Sequence, residues 1–287
     1  MGFLKDRIWV WGYVLDKVPS AAPFTFEKSR CSLETQAAYI GAKKVFYNNS
    51  MFSREHIEKN FATWDREILE NCIDNRLTPF QMDRLKNIDE VFCTLEHDNY
   101  LESAIRAARL SLQYKNIKGI HFDDYGPTNG GDIIEKIHDK VKEINPELKI
   151  AIVTYSHFDQ EPYKQAVKYV DIFSRWRWVP SLDYWRCHKE DIRILRDITG
   201  PDKKILQGIY IHDFGSYGSH VTECMYPMPL ELFKVSLETI CEHTFDGTLD
   251  GIIIPQAAYF SCQSHKHLIS FLKEYIDWFD GTTTDLQ

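Results

Sequence analysis

Strand-like and helix-like runs alternate along this chain from end to end, and few folds accommodate that order. The strand candidates are 7–14, 43–49, 90–97, 117–125, 148–157, 170–178, 203–214 and 249–256. Helix-like apolar spacing fills many of the gaps, at 33–40, 101–114, 132–144, 183–198, 230–243 and 264–279. Thr78-Pro79 has the form of an N-cap followed by a first-turn proline, Asn145-Pro146 stops the helix before the fifth strand, and Pro229 opens the seventh helix. Alternating β and α elements imply a parallel sheet covered by helices. Eight units in 287 residues is about 36 residues each, the count and length that close a (β/α)8 TIM barrel. One barrel domain over 1–287 is therefore expected. A doubly wound open sheet would carry a glycine-rich turn after its first strand, where this chain has Asp16-Lys17-Val18-Pro19-Ser20.

Composition narrows the function. Lys and Arg number 34 against 42 Asp and Glu, a formal charge of −8, and no basic run occurs. Such a chain lacks the electrostatic footprint of a nucleic-acid binder. The seven cysteines are odd in number and scattered without a C-x-x-C pair, which argues against a disulfide framework or a zinc ribbon and for a reducing, cytoplasmic setting. No apolar run reaches the roughly 18 residues of a membrane span. The first residues imitate a secretory leader, with Lys5 and Arg7, an apolar stretch over 8–15 and then Ser20-Ala21-Ala22. Asp6 interrupts its basic part and Pro23 would follow the cut. A trimmed secretory leader remains compatible with the sequence. Nothing in the sequence indicates a cofactor, and oligomeric state is silent.

Barrel active sites form at the C-terminal ends of the strands, and alternation decides which side chains face inward. In the fourth strand, outward Ile120 and Phe122 leave His121, Asp123 and Tyr125 facing the lumen. A buried carboxylate needs partners or a ligand. The same reasoning turns Thr94 and Glu96 inward beside Asp123, and adds Tyr210 and His212 with Asp213 at the rim. Tyr155, His157, Asn48 and Gln256 are further strand-end candidates.

Aromatic residues make 14% of the chain, including 15 Tyr and 7 Trp. Trp9 and Trp11 alternate with Ile8 and Val10, and Arg175-Trp176-Arg177-Trp178 places either both tryptophans or both arginines inside. Flat rings beside hydrogen-bonding groups suit a sugar. Trp11, Trp176 and Trp178 are thus candidate sugar contacts, with core packing as the competing reading.

The run Gly119-Ile120-His121-Phe122-Asp123-Asp124-Tyr125 resembles the fourth-strand signature of bacterial glycoside-hydrolase-like barrel proteins that act on cell-wall or other amino-sugar glycans. More loosely, its inward spacing is similar to the acidic fourth strand of chitinase-type barrels. Tyr125 stands where their catalytic Glu would be, so the resemblance does not extend to that substrate-assisted mechanism. It implies a hydrolase barrel centred on Asp123, together with Asp124.

Glycoside hydrolysis uses two carboxyl groups flanking the scissile bond. Strict alternation sends Asp123 and Asp124 to opposite faces, so Glu96 is the expected partner, with Asp213 and Glu223 as further candidates. Asp123 is expected as general acid or nucleophile, and Asp124 as a loop or hydroxyl contact. Two alternatives remain. One is a metal-dependent isomerase or aldolase using Glu96, Asp123, His157 and His212, although no close-spaced metal motif occurs. The other is a sugar-binding barrel without catalysis. Gly215-Ser216-Tyr217-Gly218-Ser219 fits a phosphate loop or a lid, and His265-x-His267 is expected to face solvent.

Overall fold

The computed structural model describes residues 2–12, 14, 31–48, 78–97, 99–124, 130–178, 181–212, 226–255 and 257–284. Eight parallel strands close into a barrel in sequence order, the last pairing with the first. They are β1 (Ile8–Gly12), β2 (Lys44–Tyr47), β3 (Glu90–Thr94), β4 (Ile117–Phe122), β5 (Lys149–Tyr155), β6 (Ile172–Trp176), β7 (Lys204–Gly208) and β8 (Gly251–Ile254). Each falls inside the run expected for it. Ile8–Gly12 of the leader-like apolar stretch form β1, laddered to β2 and β8.

Nine α-helices are described: α1 (Leu33–Ile40), α2 (Pro79–Arg84), α3 (Tyr100–Gln113), α4 (Gly130–Ile144), α5 (Glu161–Ala166), α6 (Leu182–Arg186), α7 (His188–Thr199), α8 (Leu230–Phe245) and α9 (Lys266–Thr284). Thr78 caps α2 through a reciprocal box. Its hydroxyl accepts from Gln81 N at 3.4 Å, and its own N–H donates to Gln81 Oε1 at 3.1 Å. The helix expected over 183–198 is two, divided at Cys187. No helix among the described residues is long and apolar enough to cross a membrane.

Contacts across the lumen establish which side chains face inward. The Trp11 ring meets Phe46, His121 and Trp176, residues of β2, β4 and β6. Three glycines make room for this aromatic filling. A Cβ at Gly119, Gly208 or Gly251 would overlap the ring of Phe92, Trp176 or Trp9 respectively. Large rings are therefore matched to absent side chains on other strands. The outward set, including Ile120, Phe122, Ile150, Ile152 and Phe173, is buried beneath the helices.

The question left open in β6 is resolved by charge. Trp176 points into the lumen and Arg175 points out, 1% exposed. Arg175 Nε donates to Asp191 Oδ2 at 2.9 Å, Nη2 donates to Asp191 Oδ1, and Nη1 donates to Gln160 Oε1 at 2.6 Å. Asp191 lies on α7, so this fork fastens α7 to the barrel wall.

Candidate active site

β4 delivers two acids to the C-terminal mouth. Alternation holds through Asp123, which is 8% exposed. It fails at Asp124, whose φ of 47° is left-handed. Asp is among the few residues that adopt this region readily, at a cost on the order of 1 kcal/mol. The turn corrects the expectation that the two carboxylates face opposite sides. Asp124 swings back toward the lumen, where the Tyr155 hydroxyl donates to its Oδ1.

Electrostatics favour the protonated form of Asp123 more than that of an ordinary aspartate. Burial pushes its carboxyl well above the usual range, and the neighbouring Asp124 charge pushes the same way. The Asp124 backbone N–H donates to it and opposes the shift more weakly. Among the described residues, no Lys or Arg acts on it. Tyr155 and Tyr210 lie beside the pair, 6% and 9% exposed, while Asp124 itself is exposed. Burial and the two acids raise both phenols, and a hydrogen bond links the two. The cluster is thus two carboxyls and two neutral phenols at the end of β4, β5 and β7.

Below it lies an aromatic floor. Trp11 stands edge-on to His121 at 4.8 Å and to Trp176 at 5.5 Å, and Trp176 meets Tyr210 at 5.0 Å. His121 is fully buried, which depresses its pKa to about 3 and keeps it neutral. Its Nδ1 is 3.4 Å from Thr94 Oγ1. Trp11 Nε1 and His121 Nε2 have no hydrogen-bond partner among the described residues. At the outer edge, Tyr155, His157, Phe158 and Trp178 form a mutual aromatic cluster with centroids 4.5–5.8 Å apart. Phe158 is 37% exposed and Trp178 is 41% exposed. Sequence reasoning missed Phe158, although an aromatic one residue beyond His157 at the end of β5 was a readable signal.

Several expected residues lie elsewhere. Glu96 is not brought to Asp123. It forms an ion pair with Arg106 of α3, and its backbone N–H donates to Ser103 Oγ at 3.2 Å. The strand ends at Thr94, so alternation no longer governs Glu96, and a cation on the next helix claims it. Trp176 is only 1% exposed, filling space over Gly208, and its Nε1 donates to Ser174 Oγ at 3.2 Å. His212 is 2% exposed between Tyr210 at 5.2 Å and Tyr259 at 4.7 Å, with its pKa held to about 3 by burial and by His265. Asn48 is buried where β2 ends, its N–H donating to Gly12 O at 2.8 Å. His265 is also a correction: it is buried against Tyr259, whereas His267 is exposed. Tyr125, Asp213, Gln256, Glu223 and the 215–219 segment lie outside the described residues. Glu96, Asp123, His157 and His212 do not converge, and among the described residues no group of three or more His, Cys, Asp or Glu forms a metal-binding cluster.

Comparison with known proteins adds the fold and nothing finer. No protein-family profile matches the sequence, and a search of curated proteins returns no relative. Among solved structures, a candidate alpha-L-fucosidase from Bacteroides thetaiotaomicron matches with a TM-score of 0.60 at 12% identity, over 96% of this chain and 94% of that one. A GH113 beta-1,4-mannanase matches with a TM-score of 0.56 at 11% identity, over 95% and 99%. The tryptophan synthase alpha chain of Legionella pneumophila matches with a TM-score of 0.51 at 12% identity, over 95% and 92%. Two glycosidase-type names and one lyase-type name on the same barrel illustrate that function belongs to the site.

Proposed function

We propose that the chain is a glycoside hydrolase acting on an oligo- or polysaccharide at the mouth of the barrel. One observation carries the reading: a buried Asp123, its carboxyl pushed well above the usual range, directly beside a second carboxyl that a tyrosine hydroxyl orients. Environments that keep one carboxyl protonated next to another are the pattern of an acid and its anionic partner. In this reading Asp123 protonates the glycosidic oxygen as the bond to the leaving sugar breaks. Asp124, held by Tyr155, stabilises the positive charge that develops on the sugar ring or attacks its anomeric carbon. Water then adds at that carbon, releasing Asp124 and giving its proton to the Asp123 carboxylate. Glu96 is withdrawn from the role first expected of it. Trp178 and Phe158 offer faces on which a ring can stack. The fourth-strand resemblance and the fucosidase- and mannanase-type neighbours agree with a carbohydrate substrate.

The test is incubation with a panel of neutral and acidic oligosaccharides, following new reducing ends by mass spectrometry. Hydrolysis of at least one member, abolished in Asp123→Asn, is the expected result. Binding without product after prolonged incubation would instead favour a sugar-binding barrel, and neither binding nor cleavage would remove the carbohydrate reading.

A further inference from the structure

Two histidines share a hydrogen beneath the helices that cover β7. His188 opens α7, and His243 lies in the last turn of α8. Their Nδ1 atoms are 2.8 Å apart, and the rings are parallel to within 4° with centroids 5.1 Å apart. A nitrogen contact so much shorter than the centroid separation of parallel rings marks an in-plane N–H···N bond, not a face-to-face stack. Both side chains are buried, His188 completely.

The neighbouring hydrogen bonds fix which nitrogen carries each hydrogen. Gln207 of β7 donates through Nε2 to the Gly208 carbonyl at 2.9 Å, and a carbonyl can only accept. Gln207 Oε1 is thereby turned to His188 Nε2, 2.9 Å away, so that nitrogen is the donor. A neutral His188 then has a bare Nδ1, and the shared hydrogen belongs to His243 Nδ1. His243 can still take a proton at Nε2 with both hydrogen bonds intact. His188 can take one only at Nδ1, where it would meet the His243 N–H head-on.

Position sets the order of the two protonations. A cation is disfavoured in the first turn of a helix, where His188 lies, and favoured in the last turn, where His243 lies. His188 faces the buried Arg175 of β6, whose charge opposes a proton, and Asp191 of α7, which Arg175 already holds. Tyr184 and Trp185 of α6 add rings at 5.8 and 5.2 Å. His243 faces Glu242, Asp246 and Lys189, of which Lys189 is paired with Asp246 at 2.7 Å.

We propose that His188 and His243 form an acid-released clasp joining α7, β7 and α8, which stays closed when His243 takes the first proton and opens when His188 takes the second. Opening frees Gln207, whose neighbour Gly208 is the position the Trp176 ring packs against. Burial, first among the causes, holds His188 down to about 4. A histidine whose pKa is lowered on folding contributes stability that is complete above its unfolded value, about 6.5. That contribution is lost as pH falls through the folded value.

The test follows the histidine ring nitrogens of labelled protein by long-range proton–nitrogen NMR, from neutral pH down to acid unfolding. Amide hydrogen exchange, corrected for its intrinsic pH dependence, is measured over the same range. The rings are assigned by signal loss in His188→Gln and His243→Gln, or through their own backbone where a variant does not fold. At neutral pH the hydrogens are expected on His188 Nε2 and His243 Nδ1, and His243 should titrate first. As His188 titrates, exchange in the first turn of α7 and the last turn of α8 should quicken at least about fivefold, as expected for one lost buried hydrogen bond, while the strands stay protected. In His243→Phe the same turns should exchange fast at neutral pH and show no further step on acidification. A His243 hydrogen on Nε2, His188 titrating before His243, or His188 titrating with exchange unchanged would each overturn the clasp. So would a His188 that stays neutral until the whole barrel unfolds.

Discussion

Two charged clusters lie close together at the C-terminal half of this barrel, and they treat burial in opposite ways. Outside the wall, Arg175 is 1% exposed and meets Asp191 through a two-pronged fork, with Gln160 taking the remaining donor. Inside the mouth, Asp123 is also buried, yet its charged neighbour is another acid and no Lys or Arg among the described residues acts on it. The first arrangement neutralises charge and fastens a helix. The second keeps a proton in a place where an ordinary carboxyl would lose it. The buried charge of Arg175 is paired with an acid, whereas the buried Asp123 carboxyl lies beside another acid.

The largest way to break this comparison is Asp123→Asn. Loss of a positioned general acid should lower turnover about 100- to 10,000-fold, read as the rate of reducing-end release. The same substitution should raise the thermal midpoint at neutral pH. A carboxyl whose pKa is raised on folding contributes stability below its unfolded pKa, near 3.9, and loses it as pH rises through the folded value. The gain from Asn should therefore be present at pH 7 and shrink toward zero near pH 3. A destabilised Asn variant at pH 7 would show that Asp123 is a structural charge like Asp191.

Asp191→Ala is the converse. It leaves the Arg175 guanidinium buried without its partner and should cost about 3–5 kcal/mol of stability, measured by denaturant unfolding. A change under about 1 kcal/mol would mean that the fork is dispensable. Tyr155→Phe removes one hydrogen bond to Asp124 and leaves the ring in its tilted contact with His157. A hydrogen bond to a charged group contributes roughly 1.5–3 kcal/mol, so turnover should fall at least about tenfold with the melting midpoint little changed. Asp124→Asn sharpens the mouth further. With the like charge gone, the alkaline limb of the activity profile should move to lower pH, because Asp123 then loses its proton more easily. An unmoved limb would leave burial as the whole cause of the shift.

Much of this was readable in the residues, and the failures share a cause. The barrel followed from eight apolar runs punctuated by Thr78-Pro79 and Asn145-Pro146, all local signals. Side-chain direction followed wherever the strand was regular, as at Trp9, Trp11, His121 and Asp123. It failed where the ladder ends. Asp124 enters a left-handed turn, and Gly126-Pro127 just beyond it was the available warning that extended backbone stops there. Glu96 lies two residues past β3, and its partner Arg106 belongs to the following helix. Arg175 could not be oriented from β6 alone, because its partner is sixteen residues away on α7. Alternation is a property of ladders, and active-site residues of barrels sit where ladders stop.

The central claim is that Asp123 holds its proton because it is buried beside Asp124. The most direct measurement is the titration of the Asp123 carboxyl carbon by NMR in isotopically labelled protein, assigned by its loss in Asp123→Asn. The account predicts a midpoint well above the ordinary aspartate value of about 3.9, moving downward in Asp124→Asn. A midpoint at or below the ordinary value in the wild-type protein would contradict it.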